Sequence, residues 1–270
     1  MCRMLGVICN DEDLLSCAIH EVRESLRLRP GEDYSGIGIG TYQNDDPLLK
    51  KRPSIKTGEI DYASLSAGLT SNVLVVHVGY PSDGAWKDTN THPFRFRRWL
   101  FANIGSFRGL ERHREDLLTK LPPFLARNVQ GETGSELAFH LLLNGLFKEG
   151  TLNDLGISAV GMGDHVRAFV EEVDNLQHDP RQGSNFALIV TNGQVMSAAC
   201  RGMTMHYSHR EGILACSHRE ATGQEQQSHR RFKGIMLGAD MSAPGQQWRE
   251  VASGSLLTIS KELELRVEPL

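Results

Sequence analysis

The chain has 270 residues, of which 40% are hydrophobic and 23% are charged, and its formal net charge is −4. This composition is typical of a globular protein with a sizeable core, and it gives no electrostatic reason to expect binding to nucleic acid or to an acidic membrane surface. No apolar run approaches the roughly 20 residues that span a bilayer. The first ten residues also lack the pattern of a secretory signal. We therefore expect a cytoplasmic protein that has no membrane partner.

The first half of the chain is expected to be rich in strands. One helix is predicted at 14–28, with Asp11 or Asp13 as its cap. The G-x-G-x-G pattern at 36–40 is not followed by a helix, which favours a close-packed strand over a phosphate-binding loop. Between the predicted strands at 73–78 and 100–102 lies a polar, turn-rich segment, 80–94, which is typical of a functional loop. The predicted strands are 4–9, 36–42, 73–78 and 100–102.

The second half is predicted to pass from helices back to strands. Helical periodicity covers 112–125, 135–147 and 164–176, with Thr133 or Ser135 capping the second helix. A hairpin with a turn at Asn192-Gly193 follows. The predicted strands are 185–191, 194–200, 212–217, 232–238 and 255–260. This order indicates one α+β domain that extends over residues 1–270.

The five cysteines, at positions 2, 9, 17, 200 and 216, have irregular spacings and include no C-x-x-C pair. This pattern argues against both a zinc site and a disulfide framework, and we expect neither a metal nor a cofactor. Cys2 differs from the others in its position. Removal of Met1 would leave its thiol beside a free α-amine, whose pKa near 7.7–8.0 suits it to accept the thiol proton.

The sequence around Cys2 resembles the start of a known family. M-C-R-M-L-G at 1–6 is similar to the beginning of class II glutamine amidotransferases, especially the branch of ergothioneine-pathway and glutathione-degrading amidohydrolases. N-T-H-P-F at 90–94 matches a motif of that family at every position. Weaker matches follow in the family's order. They lie at 36–42, 76–84, 101–109, 133–137, 185–193 and 248–257.

The resemblance implies a four-layer αββα sandwich of two antiparallel sheets, the N-terminal nucleophile hydrolase fold. In that family the cysteine attacks a side-chain amide of a small molecule and forms a thioester, while an Asn side chain and a Gly backbone N–H stabilise the oxyanion. An Arg holds the substrate α-carboxylate and an Asp holds its α-amine. The candidate residues are Cys2 and Gly105 for catalysis, His77, Tyr80, Ser82 and Asn103 for substrate binding, and Asn90 and His92 for loop structure.

Three positions depart from the family pattern. The expected Arg is Gly79, the oxyanion Asn is Ile104, and the substrate-binding Asp is Gly134. An oxyanion donor contributes about 3 kcal/mol and a hydrogen bond to a charged group about 1.5–3 kcal/mol. Glutamine hydrolysis would therefore be severely weakened unless neighbouring residues substitute. Residues that could substitute are Asn103, although one position along a strand reverses the face, and Arg95, Arg97, Arg108, Glu132 and Glu136.

Two functional hypotheses follow. The first is an amidohydrolase that acts on glutamine or a γ-glutamyl-type amide, with Cys2 as its nucleophile. The second is a catalytically degenerate family member that serves as a binding or assembly module. A third reading is an ammonia-supplying subunit, and it requires a separate synthetase or other partner protein. The oligomeric state is left open.

Overall fold

The structure is a computed structural model, and it describes residues 2–23, 33–34, 36–52, 56–57, 68–79, 87–176, 183–213, 229–241 and 245–270. The described chain forms a seven-stranded sheet and a six-stranded sheet in which all paired strands run antiparallel. A further two-stranded ribbon joins β2 (Asp33–Tyr34) to β5 (Lys56–Thr57). In this part of the chain, no helix has the length and apolar character that a membrane span requires.

The strands of each large sheet come from both halves of the sequence. The seven-stranded sheet has, in spatial order, β13 (Arg249–Val251), β11 (Met205–Glu211), β12 (Lys233–Ala239), β1 (Arg3–Cys9), β6 (Val73–Gly79), β3 (Gly36–Gln43) and β4 (Asp46–Arg52). The six-stranded sheet has β15 (Leu265–Pro269), β14 (Ser255–Ile259), β10 (Met196–Arg201), β9 (Asn185–Thr191), β8 (Trp99–Ser106) and β7 (Phe94–Phe96).

The helices cover the outer faces of the two sheets. They are α1 (Leu15–Val22), α2 (Arg114–Lys120), α3 (Pro123–Ala126), α4 (Gly134–Lys148) and α5 (Ala159–Asp174). α1 packs on the seven-stranded sheet, whereas α4 and α5 pack on the six-stranded sheet. The expected four-layer αββα sandwich is thereby confirmed.

Three hydrophobic clusters correspond to the three interfaces between layers. β1 shows how one strand serves two of them: Met4 and Ile8 lie between the sheets, whereas Leu5 and Val7 face α1. Alternate side chains of a strand point to opposite faces, so a strand buried on both sides needs a continuous apolar run. A Cβ on Gly6 would lie 2.9 Å from the Ile189 side chain, which shows how closely the sheets approach there.

The single helix predicted at 112–125 is wrong, because two short helices, α2 and α3, occupy this segment. Leu121 and Pro122 between them are extended, with ψ angles of 143° and 145°. A residue before proline is disfavoured in the helical region, and Pro122 and Pro123 impose this restriction twice. Pro123 then begins α3, where its missing N–H costs nothing.

The predicted bounds of α5 and of the hairpin also need correction. α5 begins at Ala159, five residues before the prediction, and is capped by Ser158, whose Oγ accepts a hydrogen bond from the Gly161 N–H at 3.0 Å. The hairpin between β9 and β10 has a four-residue loop, 192–195, in place of a two-residue turn. Asn192 Oδ1 accepts hydrogen bonds from the N–H groups of Gln194 and Val195, which stabilises the longer loop.

Near the C-terminal end of the chain, the strand predicted at 212–217 is wrong where the structure describes it, because β11 ends at Glu211. Gly212 has a φ of +79°, which ends the strand. β11, β13 and β15 were not predicted, because their polar sequences lack a clear two-residue alternation. Part of the predicted α1, residues 24–28, and residues 214–217 lie outside the described residues.

Candidate active site

Cys2 immediately precedes β1 and lies at one end of the sandwich. Arg3 pairs with Val78, so the same register places Cys2 opposite Gly79. The Cys2 side chain is half-buried and packs against the cluster between the two sheets. Gly79 therefore presents no side chain across from the thiol.

His77 lies on the same face of the seven-stranded sheet as Cys2. It pairs with Met4 on β1, which makes it the diagonal neighbour of Cys2, at a separation of about 7–8 Å. His77 is only 4% exposed, and burial lowers the pKa of its ring from 6.5 to about 4. The imidazole is therefore neutral at pH 7. Its Nε2 atom has no hydrogen-bond partner among the described residues.

The N-T-H-P-F loop packs directly on β3 at Gly38, and this close contact is possible because Gly38 has no side chain. A Cβ there would collide with the carbonyl oxygen of His92, and the same atom would lie 3.1 Å from Pro93. The peptide bond between His92 and Pro93 is cis. The G-x-G-x-G strand thus provides a flat surface on which the loop packs. Close packing of the loop, and not phosphate binding, accounts for the glycines.

The seated loop places His92 beside His77. The two rings have centroids 4.2 Å apart, and His92 Nε2 lies 3.3 Å from Asn103 Oδ1. Burial, followed by repulsion from His77, holds the pKa of His92 well below its usual range. Both histidines are therefore neutral, and they join β6 of one sheet to the edge of β8 in the other.

Asn103 and Ile104 lie on opposite faces of β8. Leu100, Ala102 and Ile104 belong to the cluster between the sheets, whereas Phe101 faces the helices. Asn103 is two residues beyond Phe101 and therefore lies on the same face of β8. It is 2% exposed and contacts His92. The unbroken register with β9 leaves no bulge that would turn it. The structure therefore does not bring Asn103 to the face of Ile104 and Cys2, and its expected role in binding substrate directly is not supported.

Gly105 ends the buried part of β8 in a conformation that few other residues adopt. Its φ is +81°, and a Cβ would collide with the carbonyl oxygen of Asn185 on β9. Gly105 and Ser106 are exposed, unlike the six residues of β8 that precede them. The backbone of Gly105 thus reaches the surface at the same end of the sandwich as Cys2.

Asn90 and Glu136 connect the N-T-H-P-F loop to the start of α4. Asn90 Oδ1 accepts a hydrogen bond from the Glu132 N–H at 3.0 Å. The buried Glu136 carboxylate accepts hydrogen bonds from the N–H groups of Gln130 and Gly131, at 2.9 and 2.6 Å. The oxygens of Glu136 therefore serve the backbone, and the role of Asn90 in ordering the loop stays a prediction.

Gly134 is the first residue of α4, next to the predicted cap Thr133, whose Oγ1 accepts a hydrogen bond from the Glu136 N–H. A Cβ on Gly134 would lie 3.6 Å from Oε1 of Glu111. Glu111 is exposed and forms no ion pair with the described residues. Glu111 was not predicted from the sequence, because it belongs to no motif and approaches Gly134 only through the fold.

Two of the predicted residues, Tyr80 and Ser82, lie outside the described residues. Within the described ranges, no cluster of three or more His, Cys, Asp or Glu side chains could hold a metal ion. The residues that gather around Cys2 are therefore Gly79, His77 and the inter-sheet cluster, with Gly105 at the same end of the sandwich.

Comparison with known proteins identifies the family of the chain. The family model for class II glutamine amidotransferases matches residues 1–263. The chain belongs to this family. A Saccharomyces cerevisiae relative, probable glutamine amidotransferase DUG3, is 24% identical over 253 residues, which cover 84% of this chain and 70% of the yeast protein.

Solved structures of class II amidotransferases share the fold. A glutamine aminotransferase class-II domain protein from Silicibacter pomeroyi aligns with a TM-score of 0.59 at 16% identity, covering 99% of this chain and 98% of that one. Glutamine phosphoribosylpyrophosphate amidotransferase from B. subtilis aligns with a TM-score of 0.55 at 14% identity. This alignment covers 99% of this chain and 49% of the B. subtilis protein.

The conformation of Gly105 leads to a prediction about stability. Gly105→Ala should lower the free energy of unfolding by more than about 3 kcal/mol, because a positive φ and a backbone collision act together. Gly254 is a matched control: its φ is +82°, yet a Cβ there would meet nothing within 4 Å. Gly254→Ala should therefore cost only about 1–2 kcal/mol. Urea unfolding measures both values, and equal losses would contradict the proposed collision.

The buried histidines predict a loss of stability in mild acid. Between pH 6.5 and about 4 the unfolded chain binds a proton at His77 that the folded protein does not, so stability falls as the pH falls. His77→Gln should flatten this dependence by about 1 kcal/mol between pH 7.0 and 5.5. The exposed His209→Gln is the control. Urea unfolding at both pH values tests this, and an unchanged slope in His77→Gln would refute it.

Proposed function

We propose that the protein is an amidohydrolase that cleaves a glutamine or γ-glutamyl-type amide through a thioester on Cys2. The observation that carries this proposal is the position of Cys2. It is half-buried at one end of the sandwich, on the inter-sheet face, with Gly79 opposite and Gly105 exposed at the same end. Membership of the class II family supports a small-molecule amide as the substrate.

The reaction needs only groups that these positions supply. After removal of Met1, the α-amine of Cys2 accepts the thiol proton as the sulfur attacks the amide carbon. The backbone N–H of Gly105 donates a hydrogen bond to the tetrahedral oxyanion. The C–N bond then breaks, and the same proton passes to the leaving nitrogen. Water attacks the thioester, which yields the carboxylic acid and restores the thiol.

Glu111 deepens this proposal by indicating a substrate that carries an amine. Its carboxylate lies beside Gly134, the position at which the family resemblance implies an Asp that holds the substrate amine. A longer acidic side chain from the neighbouring loop thus supplies the charge that Gly134 lacks. Gly79 offers no matching cation, so the substrate need not carry a free α-carboxylate. A γ-glutamyl amide whose carboxylate is amidated or esterified fits both features.

Ile104 favours the second candidate, a family member without catalysis. Its side chain is 2% exposed in the inter-sheet cluster and has no hydrogen-bond donor. Loss of a side-chain oxyanion donor typically slows a reaction by about 10²–10³. Asn103 does not compensate, because it faces away and contacts His92. The two candidates make opposite predictions for the reactivity of Cys2.

Covalent labelling separates them. Treatment with a γ-glutamyl electrophile such as diazo-oxo-norleucine should give one adduct, on Cys2, in a protein that lacks Met1. Selectivity is expected because burial raises the pKa of Cys9 to about 12 and also raises that of Cys200, which keeps both thiols protonated. Intact-mass and peptide mass spectrometry read out the result. Retained Met1, or a processed chain without an adduct, would favour the binding module.

Cys2→Ala provides the second part of this test. It should lower turnover of γ-glutamyl amides by about three orders of magnitude or more, because the nucleophile is lost. The melting temperature should stay unchanged, since the side chain is only half-buried. Parallel loss of activity and thermal stability would mean that Cys2 has a structural role.

Glu111→Gln tests the amine site separately. Removing the charge should raise KM for an amine-bearing substrate by about tenfold or more and leave kcat nearly unchanged, because binding and not chemistry is affected. Glu115→Gln, an exposed residue one turn further along at the start of α2, is the matched control. Steady-state kinetics with a γ-glutamyl amide and its des-amino analogue provide the measurement. An equal KM for both substrates in the unmodified protein would refute the role of Glu111.

A further inference from the structure

A second concave site lies at the end of the sandwich away from Cys2. It is a cavity of about 290 Å³, and we name it the arginine cleft; its lining residues are Arg95, Phe96, Arg97, Phe124, Arg127 and Asn128. It is formed by the turn between β7 and β8 and by the end of α3. Gly105 is seven residues beyond that turn along β8, so the cleft lies about 20 Å from the candidate active site.

The positive charge of the arginine cleft is not balanced by nearby carboxylates. Arg97 donates to Oδ1 of Asn153, and Arg95 donates to the carbonyl of Pro47 at 3.1 Å, so their partners are neutral. No Asp or Glu of the described residues forms an ion pair with Arg95, Arg97 or Arg127. Arg95 alternates with Phe96 on β7 and its guanidinium is directed to Pro47 of the other sheet, so the two guanidinium groups on the cleft side are those of Arg97 and Arg127, which repel one another. A bound anion would remove this cost.

The cleft also holds one of its cations in a fixed orientation. The guanidinium of Arg97 lies over two neighbouring aromatic rings, 5.4 Å from the centroid of Phe96 and 5.7 Å from that of Phe124. The backbone of Arg97 has a φ of +51°, which is unfavourable for a residue with a side chain. Exposed arginines are usually mobile, and a fixed planar group loses less entropy when it binds an oxyanion. This arrangement is typical of a preformed site.

We propose that the arginine cleft binds a small phosphate monoester. Arginine binds phosphate oxygens through pairs of parallel hydrogen bonds, and the two guanidinium groups of Arg97 and Arg127 match a group that carries nearly two negative charges. The half-buried ring of Phe124 and the exposed ring of its neighbour Phe147, 5.0 Å away between centroids, offer an apolar surface for the organic part. A cavity near the lower end of the range for ligand sites fits a metabolite better than a polymer.

Calorimetric titration at constant ionic strength tests this proposal with phenyl phosphate, inorganic phosphate and citrate. Phenyl phosphate should bind more tightly than inorganic phosphate, because its ring can pack on Phe124, and more tightly than citrate. Replacing both Arg97 and Arg127 by Gln should weaken phenyl phosphate binding by at least about tenfold. The control is the double variant Arg230→Gln, Arg231→Gln, which removes the same charge from exposed positions outside the cleft. It should leave the affinity for phenyl phosphate unchanged.

Three results would overturn the proposal. They are no binding of phenyl phosphate, equal weakening in the control pair, and citrate binding as tightly as phenyl phosphate, which would indicate attraction by charge alone. If the double variant fails to fold, Arg127→Gln by itself decides, because its side chain makes no hydrogen bond with the described residues. These experiments measure binding and not turnover, so their outcome is independent of whether Cys2 is active.

Discussion

The contact between Gly38 and the carbonyl group of His92 is the constraint on which the site end of the molecule depends. Only a residue without a side chain lets the loop lie directly on β3. That position brings His92 within stacking distance of His77 and within hydrogen-bonding distance of Asn103. A methyl group at Gly38 would displace the loop and separate three buried polar groups from their partners. Such groups are costly when unpaired, so the whole arrangement is cooperative.

Features that depend on neighbouring residues could be predicted from the sequence. The cap at Thr133, the strand around Gly38 and the separation of Asn103 from Ile104 follow from local hydrogen bonding or from the two-residue period of a strand. The resemblance to the class II family supplied the four layers and the hypothesis that Cys2 is the nucleophile. The single helix predicted at 112–125 was wrong because its periodic apolar pattern was given more weight than Pro122 and Pro123, both of which disfavour a helical residue before them.

Features that depend on distant contacts could not be predicted. Glu111 approaches Gly134 only because the segment after β8 and the start of α4 meet in the fold. The burial of His77 and His92, and with it their lowered pKa values, requires both sheets to be in place. The arginine cleft is similar, because the basic run at 95–98 reads as an ordinary exposed turn until Phe124 and Arg127 are brought beside it. Sequence motifs identified the scaffold more readily than the contacts between residues that are distant in the chain.

Tyr42 makes the two ends of the sandwich mechanically different. Its hydroxyl group, carried by the seven-stranded sheet, lies 2.7 Å from the Arg98 carbonyl and 3.0 Å from the Thr191 carbonyl of the other sheet. It sits six residues along β3 from Gly36, which pairs with Gly79 near Cys2, so this tie is at the far end. The sheets are therefore tied by hydrogen bonds to backbone carbonyls at this end, whereas at the Cys2 end the contact between them is made by the buried side chains of His77 and His92.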